Sequence, residues 1–420
     1  MADWFDAARF GLFVHWGPYS AARLEPSWPM VGGISILPNC QSLTVGEYDQ
    51  MTAGWSPPVG GAAQWASLGA ACGVDYAVLT TKHHDGFTLF PSEFSAHGIH
   101  VTEPGRDLVG EFVAATREAG IRVGLYFSLP DWHHPSYPAF IDEMRPYPAL
   151  SYPRPEPAEW DRFLADQRGQ LDDLLTRYGQ IDLLWFDGGW ERTAEEWRAD
   201  ELKAFILERQ PNIVINDRCP GLSGYSSMMY EGVVPLAGGT EPWEACVPLD
   251  DSWGPLEHDL GRKSTQEVIA LLTDAAAGGG RLLLNIAPLS DGSLMEWQRE
   301  RLEQLARWIE GNGQAISGTQ PSGLLPGQFY GPVTRSGDRY FLICPMQPTG
   351  LAVLRGVRGR RVRAARILAS GAPVHFTLRI SALERMLSKD PACDVLLQIG
   401  DQALGDGATV IELETEGGLS

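Results

Sequence analysis

Residues 181–190 read Ile-Asp-Leu-Leu-Trp-Phe-Asp-Gly-Gly-Trp, a short apolar run that ends in a carboxylate and two glycines. The run is too short for a helix and the glycines end it, so the pattern predicts a buried strand. Asp187 would then stand at the carboxyl end of that strand, where α/β barrels place catalytic side chains. Asp before Gly is also a common turn residue, so this stretch alone leaves both interpretations open.

Strand-like runs alternate with helical patterns on both sides of this stretch. The predicted strands are 11–15, 76–81, 122–128, 181–187, 213–216 and 281–286. The predicted helices are 62–72, 108–119, 159–178, 194–208, 265–277 and 294–310. Such alternation indicates a parallel sheet covered by helices. The number of strands approaches eight, which favours a (β/α)8-like barrel within the α/β class.

The pattern changes after residue 311. A passage rich in proline and glycine, 321–332, precedes short apolar runs at 340–344, 351–354, 363–368, 374–378, 395–398 and 409–413. Short strands with frequent turns are typical of a small antiparallel β-sandwich. We therefore expect two domains, a barrel over 1–318 and a C-terminal sandwich over 319–420.

Composition narrows the class of partner and the compartment. The 420 residues carry a net charge of −20, which argues against nucleic acid and anionic membranes, since both need basic surfaces. The N-terminus lacks a basic region followed by an apolar core, and no apolar run is long enough to span a bilayer. Six scattered cysteines without a CxxC pair favour reduced thiols over zinc. These features predict a cytoplasmic protein with a small substrate.

Polar and aromatic residues gather where the predicted strands end. Because all strand ends of a barrel face one site, we expect these side chains to converge: His15, Lys82, His83, His84, Tyr126, Trp185, Asp187, Asn216, Arg218 and Asn285. One such residue is more often a packing residue, but five strand ends of this kind are typical of a sugar pocket. Rings cover the apolar face of a pyranose, and polar groups bind its hydroxyls.

The pair His83-His84 also raises the question of a metal ion. Neighbouring residues on a strand point to opposite faces. We therefore expect that these two side chains do not share an ion, and we predict no metal site.

Ordered motifs resemble those of glycoside hydrolase family 29, the α-L-fucosidases. The motifs lie at 9–17, 80–87, 106–110, 124–128, 184–188, 216–218, 242–244, 252–254 and 282–286. This resemblance covers most of the first 315 residues. It implies an irregular (β/α)8-like barrel followed by a β-sandwich. It also implies a retaining exo-glycosidase that needs no cofactor and acts on a fucoside or a small fucosylated oligosaccharide.

The resemblance assigns roles residue by residue. Asp187 matches the nucleophile that forms a covalent glycosyl-enzyme. Residues that match sugar-contacting positions, or that hold the nucleophile region, are His15, Trp28, His83, His84, Tyr126, Trp185 and Arg218. The acid/base glutamate of bacterial members follows the Asn-Asp-Arg motif by a dozen or so residues, which selects Glu231. Glu244, within the Trp-Glu motif, stays as the alternative, and Glu241 is expected to be a solvated loop charge.

One departure from the family bears on sugar preference. Many members carry Glu-Trp-Tyr after the first strand, whereas residues 24–30 here read Leu-Glu-Pro-Ser-Trp-Pro-Met. Trp28 matches the Trp, but Ser27 replaces the Glu, or the Glu is displaced to Glu25. This leaves open a related α-L-glycosidase that prefers another sugar, such as an α-L-galactoside. A sugar-binding protein without catalysis is the third hypothesis.

Overall fold

The computed structural model describes residues 2–34, 37, 40–138, 146–147, 152–235, 241–257, 261–400 and 407–420. Across these ranges, no helix combines the length and the apolar character that a membrane crossing requires.

Seven parallel strands form one sheet, with neighbours in the order β5-β4-β3-β2-β1-β7-β6. Nearly every residue of these strands is buried, as expected for a parallel sheet with one face toward the barrel interior and one toward helices. The strands are β1 (Phe10–Val14), β2 (Tyr76–Lys82), β3 (Arg122–Ser128), β4 (Leu183–Asp187), β5 (Val214–Ile215), β6 (Glu244–Pro248) and β7 (Arg281–Ile286).

Helices precede, connect and follow these strands. Their starts are chemically marked in several cases: Asp107 caps α6, and Ser264 with Glu267 forms a capping box on α9. The helices are α1 (Asp3–Ala7), α2 (Tyr19–Ala22), α3 (Val45–Thr52), α4 (Gly61–Ala71), α5 (Ile99–Thr102), α6 (Leu108–Glu118), α7 (Pro157–Arg177), α8 (Ala199–Arg209), α9 (Thr265–Ala277) and α10 (Glu296–Asn312). The predicted start of α8 near 194 is wrong, because a 3-10 turn and further turns occupy 189–198.

The barrel is completed by an irregular segment between β5 and β6. Isolated parallel bridges join Asn216 to Tyr225, Ser226 to Trp243, and Glu231 to Cys246. Residues 225–231 thus lie between the two edge strands of the sheet. This arrangement carries Glu231 to the edge of β6, a strand that the sequence patterns did not predict.

The C-terminal part forms two antiparallel sheets around a separate apolar cluster that includes Leu342, Leu354, Leu397 and Leu413. Eight strands and one short helix build it: β8 (Gln320–Pro321), β9 (Val333–Ser336), β10 (Arg339–Cys344), β11 (Gly350–Val357), β12 (Val362–Ile367), β13 (His375–Arg379), α11 (Ala382–Leu387), β14 (Cys393–Gly400) and β15 (Thr409–Thr415). One sheet has the order β12-β15-β10-β9-β8 and the other β11-β14-β13. The predicted fold class is confirmed; the exact boundary at 318 stays a prediction.

Candidate active site

Asp187 is the last residue of β4 and lies at the floor of a buried cavity, with 8% of its surface exposed. Arg218 Nη1 donates to its Oδ1 at 3.0 Å, and Tyr126 Oη donates to its Oδ2 at 2.9 Å. Burial alone raises the pKa of Asp187, but Arg218, His84 and the bond from Tyr126 outweigh it and lower the pKa below the ordinary value. The carboxylate is therefore ionised at neutral pH.

The register of the barrel places the neighbours of Asp187 on the same face. Tyr126 of β3 pairs with Trp185 of β4, and their rings stack at 5.5 Å. Arg218 covers the Trp185 ring with its guanidinium 4.5 Å from the ring centre. The chain turns sharply just after the strand at Gly188, where φ is +74° and a Cβ would clash with Pro130. Glycine is therefore required directly after the carboxylate.

The inner cavity brings together most of the residues predicted to contact sugar. His15, Trp28, His83, Tyr126, Trp185 and Arg218 line it together with Asp187 and Glu231. His84 lies behind the floor, with Nε2 3.6 Å from Asp187 Oδ2.

Four further residues line this cavity and were given no role from the sequence: Phe13, Trp190, Cys246 and Trp253. Trp253 had a signal in the Ser-Trp-Gly motif, and Trp190 closes the stretch that contains Asp187. Cys246 belongs to the strand that the sequence patterns missed.

His83 and His84 do not point to opposite faces, as strand alternation would require. β2 ends at Lys82, so strand alternation does not apply to the next two residues, and their rings lie 4.3 Å apart. One ligand atom from each histidine and one from Asp187 lie within 4.8 Å of one another. Each Nδ1 is already hydrogen-bonded to a serine, which leaves only Nε2 to each ring. The absence of a metal stays a prediction.

Glu231 lies at the mouth of the inner cavity. Its Oε2 accepts from Arg218 Nη2 at 2.7 Å, so one guanidinium binds both Glu231 and Asp187. The Glu231 side chain is 39% exposed. Its backbone is fixed by the bridge to Cys246 and by the bond from Gly232 N to Cys246 O.

Glu244 is placed differently. It is the first residue of β6, is fully buried, and accepts from Trp185 Nε1 at 2.8 Å, Tyr225 Oη at 3.1 Å and Tyr76 Oη. Burial raises the pKa of Glu244 although these three donors oppose the rise. It is absent from the described residues that line either cavity of the site. Glu244 thus fixes the position of the Trp185 ring by accepting the hydrogen bond of its indole N–H.

A larger outer cavity of about 750 Å³ adjoins the inner one. The two share Trp28, Trp190, Glu231 and Trp253, which form the junction. Beyond the junction the wall has two tyrosines, Tyr147 and Tyr152, and a charged side with Asp250, Asp251 and Lys263. The inner cavity, of about 40 Å³, therefore opens into the outer one beside Glu231.

The sequence departure at Ser27 has a structural counterpart. Glu25 is buried away from both cavities and accepts from Trp253 N at 2.9 Å and from Ser252 Oγ. It therefore supports the chain behind Trp253 and does not take the place of the family's Glu in the cavity wall. Ser27 instead contacts His83, with Oγ 2.6 Å from Nδ1.

Glu25 should make the stability of the protein depend on pH. Burial raises its pKa to about 7, against the two bonds it accepts. From about pH 4.3 to 7 the unfolded chain loses this proton while the folded chain keeps it, so stability falls as pH rises. We expect Glu25→Gln to remove this dependence of stability on pH. Between pH 4.5 and 7 the free energy of unfolding of the wild type should therefore fall by about 3 kcal/mol relative to that of the variant.

Denaturant unfolding at several pH values measures that difference. Glu208→Gln is the matched control, because the Glu208 side chain is 80% exposed, and its curve should run parallel to the wild type. A Glu25→Gln curve that is also parallel to the wild type would contradict the expectation.

The chain is similar to known proteins along most of its length. Residues 1–314 match the family model described as Alpha-L-fucosidase. The tissue alpha-L-fucosidase of Mus musculus is 33% identical over 346 residues, which cover 76% of this chain and 72% of that protein. The Homo sapiens tissue alpha-L-fucosidase is 32% identical over 341 residues, covering 76% and 69%.

Solved structures show the same similarity. Alpha-L-fucosidase isoenzyme 1 from Paenibacillus thiaminolyticus is 33% identical, with a TM-score of 0.84 over 99% of this chain and 98% of that one. The Thermotoga maritima alpha-fucosidase in complex with fucose is 26% identical, with a TM-score of 0.74 over 98% and 97%.

Proposed function

The chain belongs to the α-L-fucosidase family of retaining glycoside hydrolases, and from this premise we propose that it hydrolyses terminal α-L-fucosyl units through a covalent intermediate on Asp187. The observation that carries the proposal is one arginine, Arg218, that binds two carboxylates at the junction of a small and a large cavity. A retaining mechanism needs two carboxyl groups about 5–5.5 Å apart.

Asp187 is suited to act as the nucleophile because it is ionised and held in place. Tyr126 and Arg218 each bind one of its oxygens. In the first step it attacks the anomeric carbon, and the glycosidic bond breaks toward the leaving oxygen. In the second step water attacks the same carbon, the ester bond to Asp187 breaks, and L-fucose leaves with its configuration retained.

Glu231 is suited to act as the acid and base because it stands where the scissile bond would lie. A fucosyl ring in the inner cavity and a leaving group in the outer one place the glycosidic oxygen at their junction, which Glu231 lines. Glu231 gives its proton to that oxygen in the first step and takes one from water in the second.

Arg218 is placed to stabilise the negative charge that passes from Asp187 to Glu231 in the first step. In the first step Asp187 becomes a neutral ester while Glu231 becomes a carboxylate, so negative charge moves from one to the other. Arg218 contacts both groups, at 3.0 Å and 2.7 Å. A fixed positive charge beside both positions stabilises the negative charge throughout the step.

Glu244, the alternative acid and base, is less well suited. It is fully buried, and two tyrosines and Trp185 occupy its oxygens. A general acid must reach the leaving oxygen directly or through one water. We propose that Glu244 positions Trp185 instead.

The outer cavity is the proposed site of the leaving group. Its aromatic side chains, Trp28, Tyr147, Tyr152, Trp190 and Trp253, offer ring faces on which sugar rings stack. Its volume of about 750 Å³ exceeds what one sugar ring fills. We therefore infer that the substrate is a fucosylated oligosaccharide with more than one sugar beyond the fucose.

The charge of the outer cavity predicts selection against anionic leaving groups. Two carboxylates, on Asp250 and Asp251, face it beside one cation, Lys263. We expect kcat/KM for a carboxylated oligosaccharide to be about fivefold to tenfold lower than for its neutral counterpart at low salt. Added salt should narrow the gap because it screens partly exposed charges.

Steady-state kinetics at several salt concentrations check this result. Asp251→Asn should narrow the gap, whereas Asp200→Asn, an exposed carboxylate on α8, should not. Equal rates on the neutral and the anionic substrate at low salt would contradict the leaving-group assignment.

The sugar itself is tested by direct comparison of aryl α-L-fucoside with aryl α-L-galactoside. Ser27 in place of the family's Glu motivates the second substrate, because one hydroxyl contact differs. We expect faster release of L-fucose. Equal or faster release of L-galactose would favour the related α-L-glycosidase, and binding without any turnover would favour the inactive sugar-binding protein.

We also propose a cytoplasmic location. Six free cysteines, with none in a disulfide, support a reducing compartment. Fractionation of the producing cells tests it, and recovery of the protein in the medium would contradict it.

A further inference from the structure

The three histidines of the site differ in which ring nitrogen carries the proton. A neutral imidazole has one N–H donor and one bare acceptor nitrogen, and the partner of Nδ1 decides which is which. Burial lowers the pKa of His15 and of His84 to about 4, and lowers that of His83 well below its ordinary value. All three rings are therefore neutral near pH 7, and each Nδ1 has a hydrogen-bonded partner.

At His15 the partner is an amide oxygen. Asn285 Nδ2 donates to the carbonyl oxygen of Trp253 at 3.1 Å, which fixes the orientation of the amide. The atom 2.7 Å from His15 Nδ1 is therefore Asn285 Oδ1, which only accepts. His15 must carry its proton on Nδ1, so its Nε2 is a bare acceptor.

At His84 the partner is a hydroxyl whose hydrogen is already used. Ser128 Oγ donates to the carbonyl oxygen of Pro130 at 2.6 Å. It can only accept from His84 Nδ1, also at 2.6 Å. His84 Nε2 is therefore a bare acceptor as well. It is buried without a hydrogen-bond partner among the described residues, and it faces Asp187 Oδ2 at 3.6 Å.

At His83 the direction is reversed. The backbone N–H of Asp85 donates to Ser27 Oγ at 2.9 Å, which leaves the hydroxyl hydrogen of Ser27 free to donate. The hydrogen bonds of the described residues offer that buried hydrogen one acceptor, His83 Nδ1 at 2.6 Å. His83 then carries its proton on Nε2.

We propose that Ser27 and Asn285 fix opposite tautomers on the two histidines that line the inner cavity, so that the cavity presents a bare nitrogen on His15 and an N–H donor on His83, while Ser128 fixes the tautomer of His84 behind the cavity floor. A sugar hydroxyl accepts from His83 Nε2. A second hydroxyl donates its hydrogen to His15 Nε2. Ser27 is thus a positioning residue, and its effect on the sugar passes through the proton on His83. The identity of the ligand as a fucosyl unit rests on the proposed function.

The tautomers can be read directly by NMR of the full chain labelled with 15N-histidine, because 15N shifts and couplings distinguish Nδ1–H from Nε2–H. At pH 7 we expect Nδ1–H on His15 and His84 and Nε2–H on His83, with signals assigned from single His→Gln variants. Nδ1–H or a doubly protonated ring on His83, or Nε2–H on His15 or His84, would overturn the proposal.

Two serine variants form a matched pair. Ser27→Ala should shift the tautomer of His83 and leave that of His84 unchanged, and Ser128→Ala should do the reverse. Loss of one such bond should lower kcat/KM about twofold to tenfold in Ser27→Ala, mainly through KM. An unchanged His83 signal in Ser27→Ala would overturn the role of Ser27.

Titration with L-fucose separates this inference from the proposed function. Shifts of the His15 and His83 signals on addition of L-fucose support both. Correct tautomers that do not respond to saturating L-fucose would uphold the assignment of protons but contradict the sugar. If Ser27→Ala does not fold, the wild-type spectrum still decides the tautomers.

Discussion

Asp187→Ala should lower kcat on an aryl α-L-fucoside about 10³-fold or more, as expected for loss of a covalent nucleophile. The variant keeps the aromatic walls and Glu231 but removes the group that attacks the anomeric carbon. It also removes the carboxylate that Arg218 and Tyr126 bind, so the free enzyme should bind L-fucose with altered affinity. Single-turnover and steady-state kinetics measure the loss.

Azide gives this prediction a stereochemical readout. With Asp187 gone, azide can fill the space and attack the anomeric carbon directly, so the product should be the inverted β-L-fucosyl azide. Asp182→Ala is the matched control: Asp182 lies at the other end of the same strand and binds Val123 N, so its variant should lose stability but keep the chemistry. Wild-type turnover in Asp187→Ala would contradict the mechanism.

Glu231→Ala should give the second largest effect, and the size should depend on the leaving group. Loss of a general acid typically costs about 10²-fold to 10⁴-fold. A poor leaving group, such as a sugar alcohol, needs the proton most, so oligosaccharides should lose far more than an aryl fucoside with an acidic phenol. Rates on a series of aryl fucosides of rising phenol pKa measure this dependence.

Azide again separates the roles. In Glu231→Ala the glycosyl-enzyme still forms, and azide attacks it, so the product should be the retained α-L-fucosyl azide. Glu244→Gln is the comparison variant, because Glu244 is buried among three donors. It should lower stability, with a rate loss that does not vary with the leaving group. The reverse pattern in the two variants would make Glu244 the acid and base.

Much of the fold was predictable from local patterns. The strands at 122–128 and 281–286 and the helix at 265–277 match the structure residue for residue, because apolar period and end signals are local properties. β6 was not predicted because its five residues, Glu244–Pro248, form neither a continuous apolar run nor an alternating one. β6 forms by pairing with β7 across the chain.

The errors in the site have the same origin. His83 and His84 were expected on opposite faces because strand alternation was applied to them, but β2 ends at Lys82 and the two rings lie 4.3 Å apart, with His83 in the cavity wall and His84 behind it. The sequence shows which residues follow a strand. It does not show at which residue side chains stop alternating between the two faces, since the end of a strand depends on its pairing with neighbouring strands.

The sequence by itself determined that a strand delivers Asp187 to the carboxyl end of a barrel, and its motifs determined the α-L-fucosidase family. These conclusions rest on the spacing of apolar residues over short stretches and on the order of the motifs along the chain. Only the tertiary structure decided which glutamate lies at the cavity beside Arg218 and how each histidine is held. Those contacts join residues of different segments: His15 to Asn285 between the neighbouring strands β1 and β7, and Arg218 to Glu231 within the irregular segment after β5. Their distances are set by how the sheet closes, which no local pattern encodes.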